Sequence, residues 1–294
     1  MYAGVALSVI ATSLFSALYY YATLLQPLSG EEIFGLRMLL TLPFITLLMI
    51  LSKEWPRVSQ TVQRIRDKPV LIAPLVCSSA LLGAQQWLFM WAPLNGSALQ
   101  VALGYFLLPL SMLMVGRLLY RERLTTLQRA AALAAAAGVA HAIFRAGGLS
   151  WEAMFVCLGF PAYFVLRKHL ATDHLGGLWF DMLLTLPVAT WLILRHPNTI
   201  ESFSHRVALY PLIVVLGIVS AIAFMCYIVA SRRLPLSLFG LLGYVEPVLM
   251  VGVALVIGEH IAVDEWLTYI PVWCAVALLI VDGIQHFAAA KRIN

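Results

Sequence analysis

The chain is 294 residues long, 62% hydrophobic and only 11% charged, with a mean hydropathy of +0.91 and a formal net charge of +5. Soluble domains are about half apolar and a quarter charged, so this balance excludes a soluble enzyme or a free-standing binding module. The apolar runs reach the ~20 residues that a spanning helix needs and lack the ~10-residue alternation of a membrane barrel. An all-α integral membrane protein is left.

Ten spans are expected, at 4–25, 32–51, 70–91, 98–119, 126–144, 151–166, 178–194, 209–230, 236–257 and 265–287. The first run has neither a basic leader nor a small-x-small cleavage site, so it is expected to be retained as a helix. The longest polar link, 52–68, has 17 residues, too few for a soluble domain. Pro93-Leu94-Asn95-Gly96 and Gly147-Gly148 supply turns. In the fifth span Ala130, Ala134, Gly138 and Ala142 form a small-residue stripe that lets another helix approach closely, so the fifth and tenth spans are expected to pack together at the rim. Cys77, Cys157, Cys226 and Cys274 sit in separate apolar runs without CxxC spacing, which points to neither a disulfide framework nor a zinc site.

An even number of spans puts both termini on one face. Placing that face in the cytoplasm gathers 15 of the 19 Lys and Arg residues inside, from Lys53 in the first link to Lys291 and Arg292. The positive-inside rule therefore predicts cytoplasmic termini. The basic balance is a topological signal and calls for no nucleic-acid partner.

The sequence also repeats itself. Met38-Leu39-Leu40-Thr41-Leu42-Pro43 recurs unchanged as Met182-Leu183-Leu184-Thr185-Leu186-Pro187, and Leu103-Gly104-Tyr105 to Pro109 returns as Leu242-Gly243-Tyr244-Val245-Glu246-Pro247. Residues 1–147 and 148–294 read as two five-span copies within one compact transmembrane domain. Five is odd, so the second copy enters the membrane from the opposite side and the repeat is inverted. The first copy of the second motif runs into Arg117, Arg121 and Arg123, whereas its partner runs into Glu259, Asp264 and Glu265. Inverted repeats are the physical basis of alternating access.

The chain has no Gly-x4-Gly-Lys-Ser/Thr phosphate loop, no Gly-x-Ser-x-Gly elbow and no His-Glu-x-x-His helix, so enzymatic chemistry is not indicated. His169, Asp173 and His174 read as a hydrated inner loop, and His141 as a packing histidine. Charges inside the bilayer are costly, at ~2.5 to 3.5 kcal/mol each near a helix centre, and three stand out: Arg37, its repeat equivalent Asp181, and Glu246 beside Pro247. Asp282 reads as an interfacial salt-bridge former near His286, Lys291 and Arg292. Arg37 and Asp181 are expected at different depths and so unpaired, whereas Arg37 and Glu246 are expected to meet in the state closed to the outside. With Gln86, Trp87, Gln100, Tyr105 and Tyr244, these three charges form the candidate substrate-binding set, suited to a flat or zwitterionic organic solute.

With Gly104-Tyr105 to Pro109, the doubled Thr-Leu-Pro, Gly243 to Pro247 and Gly258-Glu259 in place, the chain resembles the ten-helix EamA type of the drug/metabolite transporter superfamily. Arg37 ahead of the first Thr-Leu-Pro, Trp87 to Trp91 before Asn95, Leu103 to Phe106, Tyr163 to Lys168, and Trp273 with Asp282 make it most similar to the RarD subfamily. The resemblance covers essentially the whole chain. It implies a permease, usually an exporter of small metabolites or drugs, in the bacterial cytoplasmic membrane, with a central cavity lined by spans 1 to 4 and 6 to 9. Members of the subfamily are named for chloramphenicol. The implied partners are a small-molecule substrate and the lipid bilayer, with no cofactor or metal; proton coupling and a homodimer are both compatible with it. A non-transporting membrane scaffold or receptor is the alternative.

Overall fold

The computed structural model describes residues 2–95, 97–145, 147–148, 150–196, 199–249 and 266–291, and among them every regular element is a helix. The long helices are α1 (Tyr2–Thr23), α2 (Gly30–Leu51), α4 (Ile72–Trp91), α5 (Ala98–Leu119), α6 (Thr126–Arg145), α7 (Trp151–His169), α8 (Leu175–Leu194), α10 (Leu209–Arg233) and α12 (Trp266–Lys291). Shorter ones are α3 (Pro56–Asp67), α9 (Thr199–His205) and α11 (Leu236–Leu242). Seven helices among the described residues are long and apolar enough to cross a membrane. Membrane insertion favours this architecture because a helix satisfies its own backbone hydrogen bonds.

Local sequence explains the helix ends and breaks. At the start of α2, Ser29 Oγ accepts from the Glu32 amide at 3.3 Å while the Ser29 amide donates to the Glu32 carboxylate at 2.7 Å, a capping box. The repeated motif folds alike in both copies: Thr41 Oγ1 donates to the Arg37 carbonyl at 2.6 Å, and Thr185 Oγ1 to the Asp181 carbonyl at 2.7 Å.

The ninth span, expected at 236–257, is interrupted ahead of Pro247. Beyond α11 the amides of Gly243, Tyr244 and Glu246 bond three residues back, to Gly240, Leu241 and Gly243, before helix resumes at 245–249. Pro247 has no amide hydrogen and crowds the carbonyl four residues before it, which tightens the preceding turn. The remainder of that span, with Gly258 and Glu259, lies outside the described residues. The 52–68 link is also more than a polar connection. Its α3 is amphipathic, with Val58 and Thr61 buried against the bundle and Ser59, Arg64 and Arg66 outward.

The two ends of the bundle differ. At one, a Cβ on Gly4 would touch Leu234, Arg64 donates to the carbonyls of Leu170 at 2.8 Å and Ala171 at 3.1 Å, and Glu122 accepts from the Leu236 and Ser237 amides at 2.8 Å each. Arg57, Arg64, Arg167, Arg232 and Arg233 gather here, at what is the basic end. At the opposite end Tyr21 donates to the Leu212 carbonyl at 3.0 Å, His196 meets Glu31 at 3.1 Å, and Thr199 donates to Glu32.

Helix pairing crosses the midpoint of the chain throughout. α1 and α2 pack on α10, α2 and α4 on α8, α4 and α5 on α7, and α5 on α11. α6 packs along α12, where a Cβ on Gly138 would lie 2.5 Å from the Thr268 carbonyl oxygen, so the small stripe does bring these two helices together. Their contact is joined by His141 Nδ1, 2.9 Å from Thr268 Oγ1.

Candidate functional site

A cavity of about 810 Å³, counted out to its open mouth, lies between α1, α4, α5, α7, α8, α10 and α11. α6 and α12 contribute nothing to its lining among the described residues. Most lining positions fall toward the basic end: Ser8 early in α1, Leu178 early in α8, Phe239 early in α11 and Ile228 late in α10. The contacts of Tyr21, Glu31 and Glu32 lie at the opposite end.

Eight of the twenty lining residues are aromatic, so rings make up a large share of the wall. Phe15 meets Phe224 at 5.3 Å and Tyr227 at 5.6 Å between ring centroids, Phe89 meets Tyr105 at 5.7 Å, and Tyr227 meets Phe239 at 4.7 Å. Such edge-to-face contacts fix the rings against one another. Gln86, Ser8 and Thr12 add neutral polar groups.

Glu246 is on this wall, brought there by the tightened turn before Pro247, and is only 9% exposed. Its carbonyl accepts from Ser16 Oγ at 3.1 Å, fastening α1 to the broken helix. Its carboxylate has no hydrogen bond or ion pair with a described side chain.

Arg37 is fully buried. Nε donates to Ser220 Oγ at 2.9 Å, while Nη1 and Nη2 meet no acceptor. The guanidinium lies over Phe89 at 5.9 Å and Phe224 at 5.4 Å, a cation–π arrangement on two rings that themselves line the cavity. Arg37 and Glu246 are within electrostatic reach, but no ion pair joins them. The expected contact is therefore not made in this structure.

Asp181 has a full set of partners. It accepts from Ser78 Oγ at 2.8 Å and Tyr163 OH at 2.9 Å and pairs with Arg167 at 3.4 Å, all with both charged side chains 1% exposed. Arg167 also donates to Tyr163 and, through Nη2, to the His174 carbonyl at 2.6 Å. Tyr163 lines the cavity, so this network runs from the cavity wall to the backbone of the link after α7. The repeat explains its position: Arg37 of α2 bonds Ser220 of α10, and Asp181 of α8 bonds Ser78 of α4, the same pairing with the halves exchanged.

Of the eight residues singled out from sequence, Gln86, Tyr105 and Glu246 line the cavity together. Arg37 stands behind Phe89 and Phe224, and Asp181 behind Tyr163. Trp87 stacks on Trp91 at 5.3 Å, Gln100 is half-buried with Oε1 unpartnered, and Tyr244 is fully buried in the cluster shared with α6 and α12. One further reading changes. His174 is buried rather than hydrated, accepting from the Gly177 amide at 3.3 Å as the cap of α8. Burial, reinforced by the charges of Arg167, Arg57 and Arg232, pushes its imidazole down to about 4. Asp282 is buried against α6, accepting from Thr125 at 2.8 Å and Gln128 at 2.9 Å. Sequence reasoning missed Arg167 as a buried partner. Its signal was the i, i+4 spacing from Tyr163.

No family model matches the chain. Full-length relatives do. An uncharacterized transporter of Pasteurella multocida is 42% identical over 97% of this chain and 97% of its own. The chloramphenicol-sensitive protein RarD of Pseudomonas aeruginosa is 40% identical over 94% of this chain and 92% of its own, and the protein RarD of Escherichia coli is 28% identical over 96% and 95%. A solved crystal structure superposes with a TM-score of 0.68 at 18% identity, covering 94% of this chain and 98% of that one, which supports the fold alone. An all-helical bundle with seven spanning-capable helices and such relatives define a multi-pass membrane protein of the transporter class. The chain belongs to the RarD family.

Proposed function

We propose that the chain is a secondary transporter that moves a small organic metabolite or drug by alternating access, as an exporter from the bacterial cytoplasm. The observation that carries this reading is a central cavity walled by helices of both halves, its lining weighted toward the basic end and bearing, among the described residues, a carboxyl group without a partner. A scaffold or receptor has no need of a buried charge without a partner.

The reading includes ten spans as two inverted five-span repeats, 1–147 and 148–294, and an inner-membrane orientation with both termini cytoplasmic. What supports the repeat is the helix pairing. Exchanging each first-half span for its second-half counterpart turns α1–α10 into α7–α4, α2–α10 into α8–α4 and α5–α7 into α11–α1, and each of these pairs packs. The basic end then faces the cytoplasm and the cavity is inward-facing. Gln86, Tyr105 and Glu246 touch the solute in this state, with Arg37, Trp87, Gln100, Asp181 and Tyr244 acting from behind the wall or in another state.

One relative's name supplies the first solute to try. Liposomes holding the purified protein and unlabelled chloramphenicol should accumulate labelled chloramphenicol from outside by saturable counterflow. Folded protein giving no saturable exchange with chloramphenicol or with a panel of amphipathic metabolites would remove the transporter assignment.

A further inference from the structure

Among the described residues the cavity wall carries one acid, Glu246, and no base. Arg37, the other buried ion near it, is fully buried and does not line the space, whereas Glu246 does. An anionic solute would have to displace Phe89 or Phe224 to reach the guanidinium. A solute entering the cavity meets a carboxyl group that has no partner among the described residues, in a wall shared with Phe15, Tyr105, Phe224 and Tyr227.

Aromatic walls with one acid are a chemical pattern for organic cations. Ring quadrupoles attract a positive charge over their faces, and a carboxylate supplies the counter-charge. An inorganic cation is less well served, because it needs several oxygen ligands at once, and no group of three metal-ligating side chains occurs among the described residues. The cavity's cation-binding character is already visible in the protein itself: the Arg37 guanidinium lies over Phe89 and Phe224.

We propose that the cavity binds a monovalent organic cation with an aromatic body, an aryl-alkyl ammonium, using Glu246 as counter-ion and Phe15, Tyr105, Phe224 and Tyr227 as the cage. This rests on the transporter reading and narrows its substrate class. The bound ammonium takes over from distant Arg37 as the charge that balances Glu246.

The test uses the full chain in liposomes and three solutes of similar size: phenethyltrimethylammonium, neutral 2-phenylethanol and anionic 3-phenylpropionate. The labelled cation should show saturable counterflow, with the other two competing at least ~10-fold less well, about 1.4 kcal/mol. Glu246→Asp should keep the preference and Glu246→Gln should abolish it, with thermal unfolding as the check that each variant is folded; the wild-type solute series decides the matter if the Gln variant is not. Equal competition by the alcohol, or preference for the carboxylate, overturns the cation assignment. If the protein exchanges chloramphenicol but none of the three, the cation assignment fails alone, and if it exchanges neither these nor any amphipathic metabolite, the transporter reading fails with it.

Discussion

At the scale of single residues, the repeat has placed charges of opposite sign at equivalent positions and solved them differently. Asp181 is neutralised by Arg167 and held by Ser78 and Tyr163, whereas Arg37 has one hydrogen bond and two aromatic faces. Removing one partner of a buried pair strands the other charge, at a cost of about 3–5 kcal/mol, while replacing both with apolar groups costs far less. Asp181→Asn should therefore lower the thermal stability of detergent-purified protein more than Asp181→Leu combined with Arg167→Met. Equal losses would show that Arg167 has another route to compensation. From sequence, the burial of Arg37, Asp181 and Glu246 was legible because each interrupts an apolar run. Arg167 was not, because the expected sixth span stopped at residue 166, and α7 continues to His169. Nor was the sign of the accessible charge legible, since it depends on which rings stand before Arg37.

At the scale of elements, long apolar runs gave the helices to within a few residues, and Pro247 marked the position where the ninth span breaks. The polar links were harder. α3 and the cap of α8 are built from residues that read as solvated, and only contact with the bundle buries Val58, Thr61 and His174. The His174 cap yields a pH prediction. Its imidazole falls from an ordinary 6.5 to about 4 in the fold, through burial and then the neighbouring arginines, so the folded protein holds it neutral. A depressed value means the contribution to stability is complete above about 6.5 and is lost as pH falls toward about 4. His174→Asn, which caps without titrating, should flatten that loss in unfolding measured from pH 7 to pH 4. An unchanged pH profile would mean the cap is not what titrates. His174→Ala should cost about 1 kcal/mol at pH 7, as lost caps generally do.

At the scale of the whole molecule, the recurrence of two motifs is plain in the sequence, and the charge bias predicts an orientation. Where the cavity sits between the two ends of the bundle was not legible, since that depends on how the helices pack. Orientation can be read directly. Ser59 on α3 is exposed at the basic end and Val207, 70% exposed, lies at the other. In intact cells a membrane-impermeant thiol reagent should modify Val207→Cys and spare Ser59→Cys, and the reverse pattern would invert every assignment of side.

The central claim is that the two halves move against one another to open the cavity alternately to each face. Spin-label pairs test it most directly, in liposomes and with Cys77, Cys157, Cys226 and Cys274 replaced by alanine. One pair, Leu24→Cys with Val207→Cys, spans the halves at the end opposite the basic cluster; the other, Arg66→Cys with Arg233→Cys, spans them at the basic end. The account predicts two distance populations at each end, with the Leu24–Val207 pair lengthening as the Arg66–Arg233 pair shortens when a transported solute is added. A single unchanging distance at both ends, in protein that demonstrably exchanges solute, would contradict it.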